Sequence, residues 1–293
     1  MTEPHASPHD RIRARLAPLQ PLDTGMTPRT PALDDIRAVV FDVYGTLLIS
    51  ASGDIGPAAA EDKVRAMRGA LQDAGIASEA DPATLAEIFN RAILDAQELR
   101  RREGIEFPEV EIREVWQSFL DAIPGSASVT AAQRDALALE FELRANPVWP
   151  MPGMQEALAA LRARGLLLGI VSNAQFYTPL LLEHFLGVSL EDAGFAPELC
   201  VYSFEEREGK PSQALYRKLA ARLKARGLSP AQCLYIGNDL RNDVWPAQAT
   251  GFRTALFAGD RRSLRLRTDD PRCSTVQPDW IVTALDQIPA ALA

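Results

Sequence analysis

Histidine and cysteine are scarce in this chain of 293 residues, which contains three of each. Two histidines, His5 and His9, lie among the first ten residues, and the third is His184. Hydrolases built on a Ser-His-Asp or Cys-His arrangement, and metal sites with several histidines, therefore have almost no residues to draw on. The cysteines form no C-x-x-C pair, which argues against a zinc motif and a disulfide framework. Scattered thiols are typical of a reducing compartment, so we expect a cytoplasmic location.

The sequence also lacks a long apolar run and an excess of basic residues. No apolar segment approaches the ~20 residues that span a membrane, so we expect no membrane partner. The 39 acidic and 31 basic residues give a formal net charge of −8, which disfavours a broad nucleic-acid-binding surface. With 47% hydrophobic and 24% charged residues, the composition is that of a globular protein. The predicted partner is a small molecule, and no pattern indicates an oligomeric state.

Residues 1–33 differ in composition from the rest of the chain. They carry six of the 21 prolines and show little apolar periodicity. This composition predicts a flexible N-terminal extension. Acidic residues within it argue against a transit peptide.

Residues 49–148 show helical periodicity and no convincing strand. Apolar residues recur there at intervals of three and four, and the clearest stripe is Ile112, Val115, Trp116, Phe119 and Leu120. We predict an all-helical insertion over this range.

Strands and helices alternate on both sides of the insertion. The first firm strand is predicted over 36–41, and later ones over 166–171, 199–202, 233–236, 252–257 and near 280–282. Helical segments lie between the later strands, and several end at a glycine. This alternation predicts an α/β core, formed by 34–48 and 149–293, with a parallel sheet covered by helices on both faces. Ligands bind such sheets at the carboxyl ends of the strands.

Polar segments follow four of the predicted strands. They are D-V-Y-G-T from position 42, S-N from 172, S-F-E-E-R-E-G-K-P from 203 and G-N-D-L-R-N-D from 237. Each alone is a weak signal, because aspartate, serine and asparagine after a strand commonly cap helices or form turns. Their conjunction, in this order at the carboxyl ends of strands, indicates a functional site.

The four segments resemble the four motifs of the haloacid dehalogenase (HAD) superfamily, over nearly all of residues 35–285. The matching patterns are D-x-x-G-T, S-N, the lysine of S-x-E-x-x-x-G-K-P, and G-N-D-x-x-N-D. The helical insertion is similar to the family's helical cap of the first type. The resemblance implies a Rossmann-like core covered by that cap, with the active site between them.

The residue types suit the roles that the resemblance implies. Asp42, at a strand tip, is a candidate nucleophile that forms a covalent aspartyl intermediate, which water then hydrolyses. Lys210 offsets negative charge on the reacting groups, and Ser172 offers a hydroxyl. The candidates for binding substrate are Gly45, Thr46 and Asn173. Phe176 and Tyr177 either line the pocket or pack under the cap.

A magnesium site is the cofactor prediction. Asp239 and Asp243 lie four residues apart and share one face if a helix begins there. Together with Asp42 they offer the oxygen ligands that Mg²⁺ prefers. The resemblance adds the backbone carbonyl of Tyr44 as a ligand. Capping of a helix N-terminus is the alternative explanation for the acidic pair.

Two positions depart from the family pattern. Tyr44 stands where many members have a second aspartate, which protonates the leaving group and later activates water. With a pKa of ~10, a tyrosine cannot fill that role near neutral pH as a carboxylate does. Asn238 stands where many members have an aspartate after the glycine. Which of Asp239 and Asp243 contacts the metal directly is therefore open.

Three functions follow as alternatives. The acidic pair favours a Mg²⁺-dependent phosphatase-type hydrolase that acts on a small phosphorylated metabolite through an aspartyl-phosphate. The pattern D-x-Y-G-T is familiar from the 2-haloacid dehalogenases of the superfamily, in which the aspartate attacks carbon and displaces halide without a metal. A catalytically weak relative that serves as a binding protein is the third alternative.

Overall fold

A computed structural model describes residues 6–52, 60–124 and 126–292. The helices are α1 (Pro8–Arg15), α2 (Ala60–Asp73), α3 (Pro82–Arg102), α4 (Ile112–Asp121), α5 (Ala131–Ala145), α6 (Met154–Ala163), α7 (Tyr177–Leu186), α8 (Ser203–Glu206), α9 (Ala214–Ala225), α10 (Trp245–Ala249) and α11 (Gln287–Ala291). The strands are β1 (Ala38–Phe41), β2 (Leu48–Ser50), β3 (Val148–Pro150), β4 (Leu167–Ser172), β5 (Phe195–Tyr202), β6 (Cys233–Gly237), β7 (Arg253–Phe257) and β8 (Trp280–Val282). None of the helices in these ranges has the length and apolar character to cross a membrane.

Six strands form one parallel sheet in the order β5-β4-β1-β6-β7-β8. The central strand β1 pairs with β4 and β6, and its last residue, Phe41, lies beside Ile170 and Ile236. All four residues of β1 are buried, which explains why this strand is a continuous apolar run rather than an alternating one. The predicted α/β parallel core is confirmed.

Helices cover both faces of the sheet. On one face α6, α7 and α11 bury Leu158, Leu181 and Ile288, and on the other α9 and α10 bury Leu219 and Ala247. Because the strands are parallel, the carboxyl ends of β1, β4 and β6 meet at one edge. Three of the four polar motif segments follow these strands at that edge, and the segment from Ser203 follows β5, which pairs in parallel with β4.

Helices α2 to α5 form a second apolar cluster in the region that was predicted to be helical. Phe89 packs on Trp116 with ring centroids 4.2 Å apart, and Phe119 meets the same indole at 5.2 Å. The antiparallel strands β2 and β3 lie where the chain enters and leaves this region, with Leu48 opposite Pro150. The sequence did not indicate these strands because three residues are too few to show a period of two.

The prediction of a flexible N-terminal extension is wrong for residues 7–33. Ile12 of α1 is fully buried, Arg29 pairs with Ile281 of the edge strand β8, and the Trp280 indole N–H donates to Pro31 O at 2.7 Å. Prolines restrict the unfolded chain, so ordering such a segment costs less conformational entropy than its composition suggests. The segment also covers a sheet edge that would otherwise expose unpaired backbone groups. Residues 1–5 lie outside the described residues.

Candidate active site

Asp42 directly follows the central strand. Its N–H donates to Ile236 O at 2.8 Å, which continues the ladder one residue past β1 and fixes the start of the side chain. Ser172 Oγ and Lys210 Nζ both donate to Asp42 Oδ1, at 2.9 and 2.7 Å. Asp42 Oδ2 has no hydrogen-bond partner among the residues that the structure describes. One carboxylate oxygen is thus anchored in place by two hydrogen-bond donors.

Lys210 connects the segment after β5 to β1 and β6 through its buried ammonium group. Besides Asp42, Nζ donates to Asp243 Oδ1 at 2.7 Å and to the Tyr235 hydroxyl at 2.8 Å. Burial alone would lower the pKa of Lys210, but the nearby charges of Asp243 and Asp42 outweigh burial and hold this pKa above its ordinary value. The lysine therefore stays charged and links the two carboxylates.

Asp243 is folded back against its own loop. Its Oδ2 accepts the backbone N–H of Asp239 at 3.0 Å, while Oδ1 binds Lys210. Burial raises the pKa of Asp243 to about 6, although the charge of Lys210 acts in the opposite direction. A Cβ at Gly237 would lie 2.3 Å from Asp243 Cγ, so a glycine is required for the carboxylate to approach the backbone this closely.

Asp239 has different partners. Its Oδ1 accepts the backbone N–H groups of Arg241 and Asn242 at 2.8 and 3.1 Å, which caps the helical turn 240–244. The guanidinium of Arg267 donates to Asp239 Oδ1 at 3.2 Å and to Oδ2 at 2.6 Å. The capping alternative is thus confirmed for Asp239.

The predicted magnesium ligands are Asp42, the Tyr44 backbone carbonyl, Asp239 and Asp243. Arg267 neutralises Asp239 and Lys210 neutralises Asp243. The described ranges contain no group of three or more His, Cys, Asp or Glu side chains that could hold a metal ion. Binding of Mg²⁺ by these residues stays a prediction.

The turn after Asp42 packs tightly against the segment that follows β6. Gly45 has φ +83°, and a Cβ there would lie 2.5 Å from Ser263 Cβ and 2.7 Å from Asn238 Nδ2. Thr46 is fully buried, with Oγ1 3.4 Å from Asn238 Oδ1. These contacts show how Gly45 and Thr46 shape the turn, and their contact with substrate stays a prediction.

Asn173 holds in place residues 207–210, the loop that ends at Lys210 and is called the lysine loop below. Its side-chain Oδ1 accepts the backbone N–H of Lys210 at 2.8 Å. The side chain thereby joins the end of β4 to the loop that positions the ammonium group. Direct binding of substrate by Asn173 stays a prediction.

Tyr44 faces the first turn of α7 and the helical region above it. Its hydroxyl lies 2.9 Å from Thr178 Oγ1. Burial, followed by the charge of Glu142, raises the pKa of Tyr44 above its ordinary value. The neighbouring Tyr177 donates its hydroxyl to Glu142 Oε2 at 3.0 Å, and Arg113 lies over the ring of Phe176 at 5.0 Å. Phe176 and Tyr177 thus pack beneath the helices.

The segment 107–112 lies directly on the loops that carry the motif residues. Glu109 N–H donates to Arg207 O at 3.1 Å, and Gly209 N–H donates to Phe107 O at 2.8 Å. Ile112 N–H donates to Gln175 Oε1 at 2.9 Å. The helical region is therefore hydrogen-bonded to the loop that ends at Lys210, and it encloses the carboxyl edge of the sheet.

Sequence reasoning missed three contributors to the site. Tyr235 is the one hydroxyl-bearing residue in the apolar strand β6, a signal that could have drawn attention to it. Arg267 lies in the basic run 261–267, which predicts a solvated surface and does not indicate its partner Asp239, 28 residues away. Glu142 carried no local signal, because its partner Tyr177 lies 35 residues away along the chain.

Comparison with known proteins identifies one family of hydrolases. A family model of haloacid dehalogenase-like hydrolases matches residues 36–251. Phosphoglycolate phosphatase of Escherichia coli (strain K12) is 28% identical over 233 residues, which cover 74% of this chain and 79% of that protein. Phosphoglycolate phosphatase of Shigella dysenteriae serotype 1 is 30% identical over 230 residues, with the same coverage. Phosphonoacetaldehyde hydrolase of Nitratidesulfovibrio vulgaris is 26% identical over 220 residues, which cover 75% of this chain and 70% of that protein.

A solved structure shares the fold. The 2-haloacid dehalogenase of Pseudomonas syringae pv. Tomato DC3000 aligns with a TM-score of 0.56 at 20% identity, over 88% of this chain and 98% of that one. At this level of identity the similarity concerns the fold alone. Since the family model spans most of the chain, the protein belongs to the haloacid dehalogenase-like hydrolase family and is a hydrolase, as its four motifs predicted.

Proposed function

We propose that this hydrolase cleaves a small phosphorylated metabolite through an aspartyl-phosphate on Asp42. The observation that carries the proposal is the anchoring of Asp42 Oδ1 by both Ser172 and Lys210, which leaves Oδ2 as the attacking oxygen. The phosphoglycolate phosphatases that are 28% and 30% identical to this chain favour phosphorus as the atom attacked.

The proposed reaction has two steps. Asp42 Oδ2 forms a bond to phosphorus while the bond to the leaving oxygen breaks, and Lys210 offsets the negative charge of the phosphoryl group. Water then attacks phosphorus and releases the carboxylate of Asp42. No step is assigned to Mg²⁺, because Asp239 and Asp243 are paired with Arg267 and Lys210. A Mg²⁺ requirement stays a prediction of the family resemblance.

Dehalogenase-type cleavage of a carbon–halogen bond is the second candidate. Two observations favour it: Tyr44 replaces a carboxylate that halide departure does not need, and Arg267 neutralises Asp239. In that reaction Asp42 attacks carbon, and halide leaves without a proton.

The domain division is also a proposal. Residues 34–48 and 149–293 would form the core, and residues 49–148 the cap. The β2–β3 pair at both boundaries and the separate apolar cluster of α2 to α5 support this division. The three cysteines are free and buried, which supports the proposed cytoplasmic location.

The test is hydrolysis of 4-nitrophenyl phosphate, with added Mg²⁺ and with EDTA, by the wild type and by Asp42→Asn. We expect phosphate release that falls by about 10³-fold or more in Asp42→Asn. Asp95→Asn, at an exposed position of α3, is the matched control and should retain full activity. A fall in activity with EDTA that added Mg²⁺ restores would establish the metal requirement.

Release of halide from a 2-haloacid is measured in parallel. Halide release without phosphate release would establish the second candidate in place of the first. The proposal is overturned if the wild type releases no phosphate, or if Asp42→Asn remains active.

A further inference from the structure

The ammonium group of Lys210 has a protein acceptor for each of its three N–H donors. Two acceptors are carboxylate oxygens, Asp42 Oδ1 and Asp243 Oδ1, each at 2.7 Å. The third acceptor is the hydroxyl of Tyr235, at 2.8 Å. An ammonium carries three donors and no acceptor, so these contacts use its whole hydrogen-bonding capacity and fix its direction at three points.

Tyr235 is the uncharged member of these three acceptors, and its hydroxyl is itself held from two sides. Because the hydroxyl accepts an N–H from Lys210, its own proton points to Val171 O at 3.0 Å or to Asp243 Oδ1 at 2.9 Å. Val171 directly precedes Ser172, the last residue of β4. The hydroxyl therefore lies between the ammonium and the strand end that carries Ser172.

Packing fixes the ring of Tyr235 in one position. Tyr235 is fully buried in β6, where it pairs with Val40 of the central strand β1. The ring of Tyr216 meets it edge-on, with centroids 5.1 Å apart and an interplanar angle of 75°. Side chains in a close-packed interior of this kind occupy one rotamer. The hydroxyl is thus a fixed point, whereas the lysine reaches it on a flexible four-carbon stem.

The ammonium of Lys210 needs this fixed acceptor to stay against Asp42. Without the hydroxyl, one buried N–H would have no partner, which is costly in the interior. The ammonium would turn on its flexible stem toward another acceptor, and its contact with Asp42 Oδ1 would loosen. The positive charge of the lysine would persist, but its direction would change.

We propose that Tyr235 is a positioning residue whose hydroxyl holds the Lys210 ammonium against Asp42 Oδ1. The role rests on the function proposed above, in which Asp42 Oδ2 attacks phosphorus. Both oxygens belong to one planar carboxylate, so holding Oδ1 in place also sets where Oδ2 lies. Tyr235 acts through Lys210 and takes no part in the bonds that form and break.

The first test is Tyr235→Phe, which removes the hydroxyl and keeps the ring. We expect kcat for 4-nitrophenyl phosphate to fall by about 10–10²-fold, because a small displacement of a reacting group is costly to the rate. KM should change by less than about 3-fold, because the proposal gives the hydroxyl no contact with substrate.

Tyr216→Phe is the matched control. Tyr216 is fully buried in the same apolar cluster as Tyr235, but its hydroxyl donates to Asn242 O at 2.8 Å. Each variant loses one buried hydroxyl with its hydrogen bond, so both should lower the urea concentration at the midpoint of unfolding. Tyr216→Phe should nevertheless keep kcat within about 3-fold of the wild type, because its hydroxyl does not hold the lysine.

The ammonium protons of Lys210 give a second readout that does not depend on turnover. The chain has four lysines, all in the described ranges, and Lys210 is the buried one, which leaves few signals to assign after ¹⁵N labelling of lysine. Protons held by buried acceptors exchange slowly with water. Tyr235→Phe should speed the exchange at the Lys210 ammonium by about 10-fold or more, whereas Tyr216→Phe should leave it unchanged.

The role of Tyr235 is overturned if Tyr235→Phe keeps the kcat of the wild type, or if both phenylalanine variants lower kcat by the same factor. Unchanged exchange at Lys210 in Tyr235→Phe would also overturn it, because the hydroxyl would then not hold the ammonium. A wild type that releases no phosphate would instead remove the phosphatase function, and the exchange measurement would then decide whether the hydroxyl holds Lys210.

Discussion

Individual residues at the site are held by contacts that leave little room for substitution. Lys210 shares one ammonium group between Asp42, Asp243 and the Tyr235 hydroxyl, all within 2.8 Å. The side chain is almost fully buried, so these contacts act with little screening by water. A buried lysine bonded to two carboxylates holds Asp42, the proposed nucleophile, in place before substrate arrives, which would reduce the reorganisation needed in the proposed reaction.

A substitution at Gly45 tests how closely the first motif segment must approach the fourth. A side chain held at positive φ costs about 1–3 kcal/mol of stability. We expect Gly45→Ala to cost more than this, because the new methyl group would also collide with Ser263 and Asn238. The matched control is Gly25→Ala, since Gly25 has φ +69° and a Cβ there would meet no described atom within 4 Å. Urea unfolding measures both variants. Equal losses of stability in the two variants would show that a methyl group at position 45 does not collide with Ser263.

At the scale of elements, α1 joins parts of the molecule that are distant in sequence. Arg11 Nη1 donates to Glu140 Oε1 of α5 at 2.9 Å and to Asp73 O of α2 at 3.0 Å. On its other side the ring of His9 stacks on His184 of α7, with centroids 5.6 Å apart. One short helix therefore contacts both the helical region and a helix of the sheet layer.

A substitution at Ile12 measures how much α1 contributes to the stability of the protein. We expect Ile12→Ala to lower the free energy of unfolding by about 2–5 kcal/mol, because Ile12 is fully buried in the main apolar cluster. Leu99→Ala on α3 is the control, and it should change stability by less than about 0.5 kcal/mol because Leu99 is 56% exposed. Urea unfolding followed by circular dichroism reports both. A flexible extension would instead show no loss for Ile12→Ala.

At the scale of the whole molecule, the helical region closes over the carboxyl edge of the sheet. Gln175 makes two of the bonds between them: its Oε1 accepts Ile112 N–H at 2.9 Å and its Nε2 donates to Val110 O at 2.8 Å. Arg207 of the lysine loop adds a two-point pair with Glu114 of α4 at 2.6 and 2.7 Å. Asp42 is buried at this edge, and burial strengthens the electrostatic interactions inside the site.

A substitution at Gln175 tests whether its hydrogen bonds hold the segment 107–112 against the edge of the sheet. We expect Gln175→Ala to lower the protection of residues 107–112 against amide hydrogen exchange, because the substitution leaves two partly buried backbone groups without their partner, each worth about 1–3 kcal/mol. Gln117→Ala, which removes an exposed side chain of α4 bonded to Asp121, should leave that protection unchanged. Unchanged protection in Gln175→Ala would mean that other contacts hold the segment.

The α/β core and the family were determined by the sequence alone, because strand and helix periodicity and the four motifs are local patterns. The sequence also located Asp42 and Ser172 correctly at strand ends and Lys210 in the segment that follows β5, since parallel strands bring their carboxyl ends to one edge.

Only the tertiary structure decided which partner each charged group takes. Asp239 binds Arg267 from 28 residues away, a partner that the spacing of the motif does not indicate. Glu142 reaches Tyr177 across 35 residues, and Arg11 reaches Glu140 across 129. Such pairs depend on how helices and loops pack against one another. Burial then determines whether each group is charged and how strongly the two groups interact. Neither packing nor burial is readable from residue spacing.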